Sequence, residues 1–334
     1  MILPVKYLIP DQSELIIVPD GLLGYIPFDA LLTAPVKDIK NSREYPYLLK
    51  DYQTSIAYSA TLLKEMRDKK HRQTPIKQFL AVAPLFKNNH SDTLLLTSRF
   101  IDISENRNRL GPLKFNIPEA QNLQNLLDGD VLTDTSATED NFTKIAGDYQ
   151  ILHLSTHGKA NDKTGDYSFL AFYELEDSIE NEWLYNRELY ELELNADMVV
   201  LSACETGIGE LQRGEGIISL ARGFSYAGAK SIITSLWSVN DKTTPELMNY
   251  FYTNLKDGMT KDKALREAKL SYINSTTPNP EPYFWAAFVP VGDMQPIEFQ
   301  QDRTIWLWMG LTSFGLIILF AIFKFNSFFR STST

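Results

Sequence analysis

Cysteine and histidine are scarce: the chain of 334 residues holds one of the first and four of the second. A single cysteine excludes an internal disulfide, and a reducing compartment keeps its thiol free for chemistry. Positive charge is in deficit, with 32 Lys and Arg against 42 Asp and Glu and a formal net charge of −10. Nucleic-acid binders present a basic face, so no DNA or RNA partner is expected. Gly207 and Gly209 stand close together, but neither a Gly-Lys-Ser/Thr sequence nor a full dinucleotide fingerprint accompanies them, which argues against a nucleotide cofactor. Residues 1–10 lack the charged start, long apolar centre and small-residue cleavage site of a secretory leader, so export is not expected. The residues show no internal repeat. With 44% hydrophobic content the chain can bury a substantial core, best read as one large domain plus an appendage.

The one cysteine follows a buried-strand pattern. Met198, Val199, Val200 and Leu201 form a continuous apolar run of the kind a strand covered on both faces shows, with turn glycines soon after. Cys204 is thus delivered at the C-terminal edge of a parallel strand, where open α/β sheets place their ligands. Residues 149–158 repeat the design, an apolar strand with His157 and Gly158 at its exit. An imidazole beside a thiol can withdraw its proton and later protonate a leaving amine, which makes His157 and Cys204 the candidate catalytic pair. That chemistry requires no metal or cofactor. His153 shares the strand face of His157 by period two, but its apolar neighbours mark it as a hydrogen-bonded core residue.

A cysteine with a histidine roughly 50 residues upstream is also the caspase arrangement, although the loop here reads Ser202-Ala203-Cys204-Glu205-Thr206-Gly207. The segments His153-Leu154-Ser155-Thr156-His157-Gly158 and Val200 through Gly207, Gly228-Ala229 leading to Ser235-Leu236-Trp237, and Phe284-Trp285-Ala286-Ala287-Phe288 together resemble the CHAT family of caspase-like proteins. This is the wider group that holds caspases, metacaspases and separase. Residues 15–32, with Ile26-Pro27-Phe28-Asp29-Ala30-Leu31, are similar to the opening of such a domain, so the resemblance covers residues 1–293.

The resemblance implies an α/β fold, a caspase-like three-layer sandwich with a mostly parallel central sheet flanked by helices. It implies an oxyanion hole formed by the backbone N–H groups of Gly158 and Cys204, and a protein or peptide substrate. Caspases place a glutamine two residues before the cysteine, in the pocket for aspartate, whereas Ser202 stands there in this chain. No arginine occurs within residues 231–241, where caspases place another pocket residue, so an aspartate preference is not implied. Ser202, Glu205, Trp237 and Asp241 are the candidate pocket residues, with Glu205 and Asp241 suited to a basic side chain before the scissile bond. Many family members carry helical repeats, often TPRs, ahead of this domain. Their absence here implies either a separate regulatory partner such as a TPR protein, or a chain that is the terminal portion of something longer.

Alternating strand and helix patterns argue for crossover units and a mostly parallel sheet. Strands are expected over residues 53–58, 77–83, 131–132 and 169–173. Helices are expected over 60–69 with Ser59 as N-cap, over 118–127 with Pro118 in the first turn, and up to 146 from a Thr138 cap. The polar residues 87–112 read as a surface insertion. Beyond the cysteine, 207–216 reads as a mobile loop, 217–226 as a helix and 231–237 as a strand. Residues 243–255 and 261–272 read as amphipathic helices, and 282–291 as an apolar edge strand or buried tail.

Arg303 and Lys324 bracket residues 304–323, an uncharged run of ~20 residues whose helical length of ~30 Å matches a bilayer's hydrocarbon core. Trp306 and Trp308 near one end favour the membrane interface. A single transmembrane helix is therefore expected, joined to the 1–293 domain by a 294–303 linker and followed by a 324–334 tail. Lys324 and Arg330 favour a cytoplasmic C-terminus, but moving a large folded domain across without a leader is harder than moving a short tail. The domain is expected to face the cytoplasm.

The sequence thus points to a membrane-anchored caspase-like cysteine endopeptidase that acts on a protein partner or on itself. The alternative is a catalytically inactive scaffold or interaction module of the same fold. A third option is another thiol-dependent acyl transfer, because a Cys-His pair does not by itself specify peptides.

Overall fold

In chain order, the strands are β1 (Glu14–Ile17), β2 (Gln53–Ile56), β3 (Lys77–Pro84), β4 (Asp130–Asp134), β5 (Tyr149–Leu154), β6 (Gly158–Lys159), β7 (Phe169–Ala171), β8 (Trp183–Tyr185), β9 (Met198–Leu201), β10 (Gly209–Gln212), β11 (Gly216–Ser219), β12 (Ser231–Ser235) and β13 (Phe288–Gly292). The α-helices are α1 (Leu48–Asp51), α2 (Ala60–Asp68), α3 (Asn116–Leu127), α4 (Glu139–Ile145), α5 (Asn186–Leu189), α6 (Leu220–Ala227), α7 (Thr244–Lys256), α8 (Lys261–Asn274) and α9 (Pro282–Trp285). The computed structural model describes residues 7–10, 13–36, 41–86, 110–161, 164–175, 182–202, 209–212, 216–239, 242–276 and 278–299. Residues 1–297 form one compact unit and 298–334 a second. Among the described residues no helix is long and apolar enough to cross a membrane, and the expected span 304–323 lies outside them.

Eight strands form the central sheet in the order β1-β2-β13-β12-β9-β5-β3-β4. Every neighbouring pair is parallel except β12 and β13. Alternation along the central strands divides their side chains between two helical layers. Leu152 and Leu154 of β5, Val199 and Leu201 of β9 and Ile232 of β12 join a buried cluster with Met66 of α2, Phe142 of α4 and Phe224 of α6. On the other face, Phe79 and His153 stand 5.6 Å, centroid to centroid, from the ring of Tyr252 on α7. Each large apolar side chain so buried contributes about 1.5–3 kcal/mol, and the expected layered α/β architecture follows.

Local signals account for several helix ends. Ser59 Oγ accepts from Leu62 N at 3.0 Å and Thr138 Oγ1 from Asn141 N at 3.2 Å, the two N-caps expected from the sequence. At the other end of α6, Ala229 N bonds back to Phe224 O at 3.0 Å, and Gly228 between them has φ +130°. A Cβ there would lie 2.2 Å from Leu194 O, so glycine is required.

Two readings need correction. Residues 216–219 do not open the α6 helix; they pair as β11 with β10, in the register Gly209↔Ser219, and the helix begins at Leu220. The 282–291 segment is neither an edge strand nor a tail. After the short helix α9 it enters the sheet interior as β13, between β12 and β2. The ladder to β2 is limited to Val291↔Ile56, so Pro290, which has no N–H to donate, sits where that ladder is not continued. The described parts of the glycine-rich 207–216 connection form the β10–β11 hairpin.

Candidate active site

The sheet places the two predicted strand ends side by side. β5 and β9 are adjacent and parallel, with His153 opposite Val200 and Leu154 opposite Leu201. His157 follows Leu154 by three residues, and Cys204 follows Leu201 by the same three. Neighbouring strands run about 4.8 Å apart, so the two chain exits leave the sheet at the same level. Cys204 itself lies outside the described residues, as do Glu205 and Asp241.

His157 is partly buried and held from two directions. Its Nε2 is 2.7 Å from the carbonyl oxygen of Gly111, and the ring of Phe86 meets the imidazole edge to face at 4.6 Å. A carbonyl can only accept, so Nε2 carries the hydrogen, and in the neutral ring the lone pair is left on Nδ1. The backbone is fixed as well, because Ala171 N donates to His157 O at 2.9 Å. Gly158 begins β6 and pairs with Leu170 of β7 in a small antiparallel sheet of β6, β7 and β8.

Beneath these exits lies a buried polar network. His153, with no exposure, places Nε2 2.8 Å from Glu119 Oε1 and Nδ1 3.0 Å from Tyr252 Oη. Glu119 Oε1 also accepts from Ser202 Oγ at 3.0 Å. Burial, reinforced by the charge of Glu119, raises the Tyr252 phenol well above its ordinary range. It therefore stays protonated and donates to Nδ1, while Nε2–H donates to the carboxylate. Both ring nitrogens of His153 are thereby paired, in keeping with its expected place as a hydrogen-bonded core residue. Asn116, one turn before Glu119, donates from Nδ2 to Pro84 O at 2.9 Å and Ser155 O at 3.3 Å. The first turn of α3 thereby ties together the C-terminal ends of β3 and β5 and the exit of β9.

The predicted pocket residues distribute unequally. Ser202 is buried, and its hydroxyl is directed to Glu119. Trp237, just beyond β12, is partly buried, stacks on Tyr283 at 6.4 Å with 17° between the planes, and donates from Nε1 to Tyr283 O at 3.1 Å. Phe86, Gly111, Asn116 and Glu119 are site residues that the sequence did not reveal. Only Glu119 carried any signal, as an acid in the first turn of a helix, and that usually means a favourable charge against the helix dipole.

Comparison with known proteins agrees with this architecture. The pro- and mature-domain complex of Porphyromonas gingivalis RgpB superposes with a TM-score of 0.51 at 12% identity, over 86% of this chain and 66% of that one, which supports the fold. The crystal structure of the Arg specific cysteine proteinase gingipain R aligns with a TM-score of 0.47 at 11% identity, over 78% of this chain and 57% of that one. Tetratricopeptide repeat protein 28 of Mus musculus is 30% identical over 105 residues, 31% of this chain and 4% of that protein, so the chain spans a small fraction of that relative's length. The CHAT domain profile matches residues 1–293, and the chain belongs to the CHAT domain family.

Proposed function

We propose that this chain is a caspase-like cysteine endopeptidase in which His157 is the general base and Cys204 the nucleophile. The observation that carries the reading is the Leu154↔Leu201 register, from which both residues follow at the same offset. In the proposed reaction, Nδ1 takes the proton from Sγ and the thiolate attacks the scissile carbonyl. The backbone N–H groups of Gly158 and Cys204 receive the oxyanion, each such donor being worth about 2.7–4 kcal/mol in the transition state. The imidazolium then protonates the leaving amine, and water, deprotonated by the same ring, releases the acyl group from sulfur. Trp237, with Glu205 and Asp241, lines the substrate side in this reading, while the buried Ser202 anchors the loop from beneath. The 304–323 run would hold the enzyme at a bilayer with its catalytic domain in the cytoplasm, on a protein substrate or on itself.

Comparison of protein termini in cells producing wild type or Cys204→Ala tests the activity. New termini that require Cys204 support it, and identical patterns leave the fold with a scaffold role. Protease protection in intact cells tests the orientation, since a domain degraded from outside reverses it.

A further inference from the structure

We infer that Glu119 is a positioning residue for the site, because its Oε1 is one acceptor shared by the two strands that deliver His157 and Cys204. The inference rests on the proposed function. Oε1 takes His153 Nε2 from β5 at 2.8 Å and Ser202 Oγ from the exit of β9 at 3.0 Å. Ser202 stands two residues before Cys204, so its anchoring fixes where the nucleophile loop leaves the sheet. His153 cannot turn to release its end, since Tyr252 holds the opposite ring nitrogen at 3.0 Å. Glu119 is 3% exposed, and a buried carboxylate accepts charge-assisted bonds that are stronger and better directed than neutral ones. Buried ionic groups of this kind are not needed for stability, since well-packed apolar residues often replace them without loss. What the carboxylate supplies here is registration between two strand ends. Glu119 touches no reacting atom in this scheme and acts through Ser202 and His153.

The single cysteine gives the test an unambiguous readout, the rate of iodoacetamide alkylation against pH in the full chain. The wild-type thiol is expected to titrate below the ordinary cysteine value of about 8.5, and His157→Ala should return it there. Glu119→Gln and Ser202→Ala are each expected to slow alkylation at pH 6 roughly tenfold, with the folded near-UV spectrum retained. The double variant should be slowed by less than the product of the two single effects, because Glu119→Gln weakens and Ser202→Ala removes the same Glu119–Ser202 bond. Ser202→Ala keeps the Glu119–His153 bond, so it carries the test if Glu119→Gln does not fold. Wild-type profiles in the Glu119 and Ser202 variants, or additive losses, overturn this inference while leaving a His157-dependent thiol intact. An ordinary wild-type thiol that is indifferent to His157→Ala overturns the dyad and this inference together.

Discussion

His157 Nε2 stands 2.7 Å from the carbonyl oxygen of Gly111, and that bond makes Nε2 the donor nitrogen of the ring. In the proposed dyad, Nδ1 is the nitrogen that receives the thiol proton. The Phe86 ring, 4.6 Å away, limits the swing of the imidazole about this tether.

Phe86→Ala is expected to lower kcat of peptide cleavage about tenfold with little change in KM. Phe86 packs against the Phe169, Ala171 and Trp183 cluster and against the ring of His157, the proposed base, without reaching the sheet interior. Steady-state kinetics on a cleaved peptide check this, and an unchanged kcat would reduce Phe86 to packing alone.

Breaking the pair of Lys269 and Asp29 from one side should be costly on the α8 side of the sheet. Lys269 Nζ donates to Asp29 Oδ2 at 2.6 Å and to Phe288 O at 2.6 Å, while Thr54 Oγ1 donates to Asp29 Oδ1 at 2.5 Å. Lys269 is unexposed, so Asp29→Ala leaves a buried cation without its counter-ion and is expected to cost about 3–5 kcal/mol in urea unfolding. Replacing both partners, as Asp29→Leu with Lys269→Met, should recover most of that loss. A single variant as stable as wild type would contradict this assignment.

Lys261 makes stability depend on alkaline pH. Burial pushes its ammonium down to about 8, although Asp293 and Asp197 nearby oppose the shift. The unfolded lysine titrates near 10.4, so between about pH 8 and 10.4 the unfolded state binds more protons and stability rises with pH. The gain over that window is expected to approach about 3 kcal/mol, and Lys261→Met should remove it. Unfolding free energies of the two proteins across this range check the sign; parallel curves would show that Lys261 does not titrate there.

Much of the architecture was legible because its causes are local. The Ser59 and Thr138 caps are bonds between residues three apart, and the β5 and β9 strands are short apolar runs ending at polar residues. The placement of β13 was not legible, since an apolar run containing Pro290 reads the same at an edge as in an interior strand whose second ladder is cut short. Of the site, the histidine strand and its exit could be read from sequence. The Glu119 network could not, because its bonds join residues 34 and 83 positions apart and depend on which strands become neighbours. Gly111 was hidden for another reason: it acts through a backbone carbonyl, which every residue possesses.

In the proposed site the exits of β5 and β9 bring imidazole and thiol together. An experimental structure of the wild-type chain, read at the separation of His157 Nδ1 and Cys204 Sγ, tests it most directly. A separation of about 3–4 Å beside an open groove is expected. Atoms roughly 8 Å or more apart, with packed side chains between them, would contradict it.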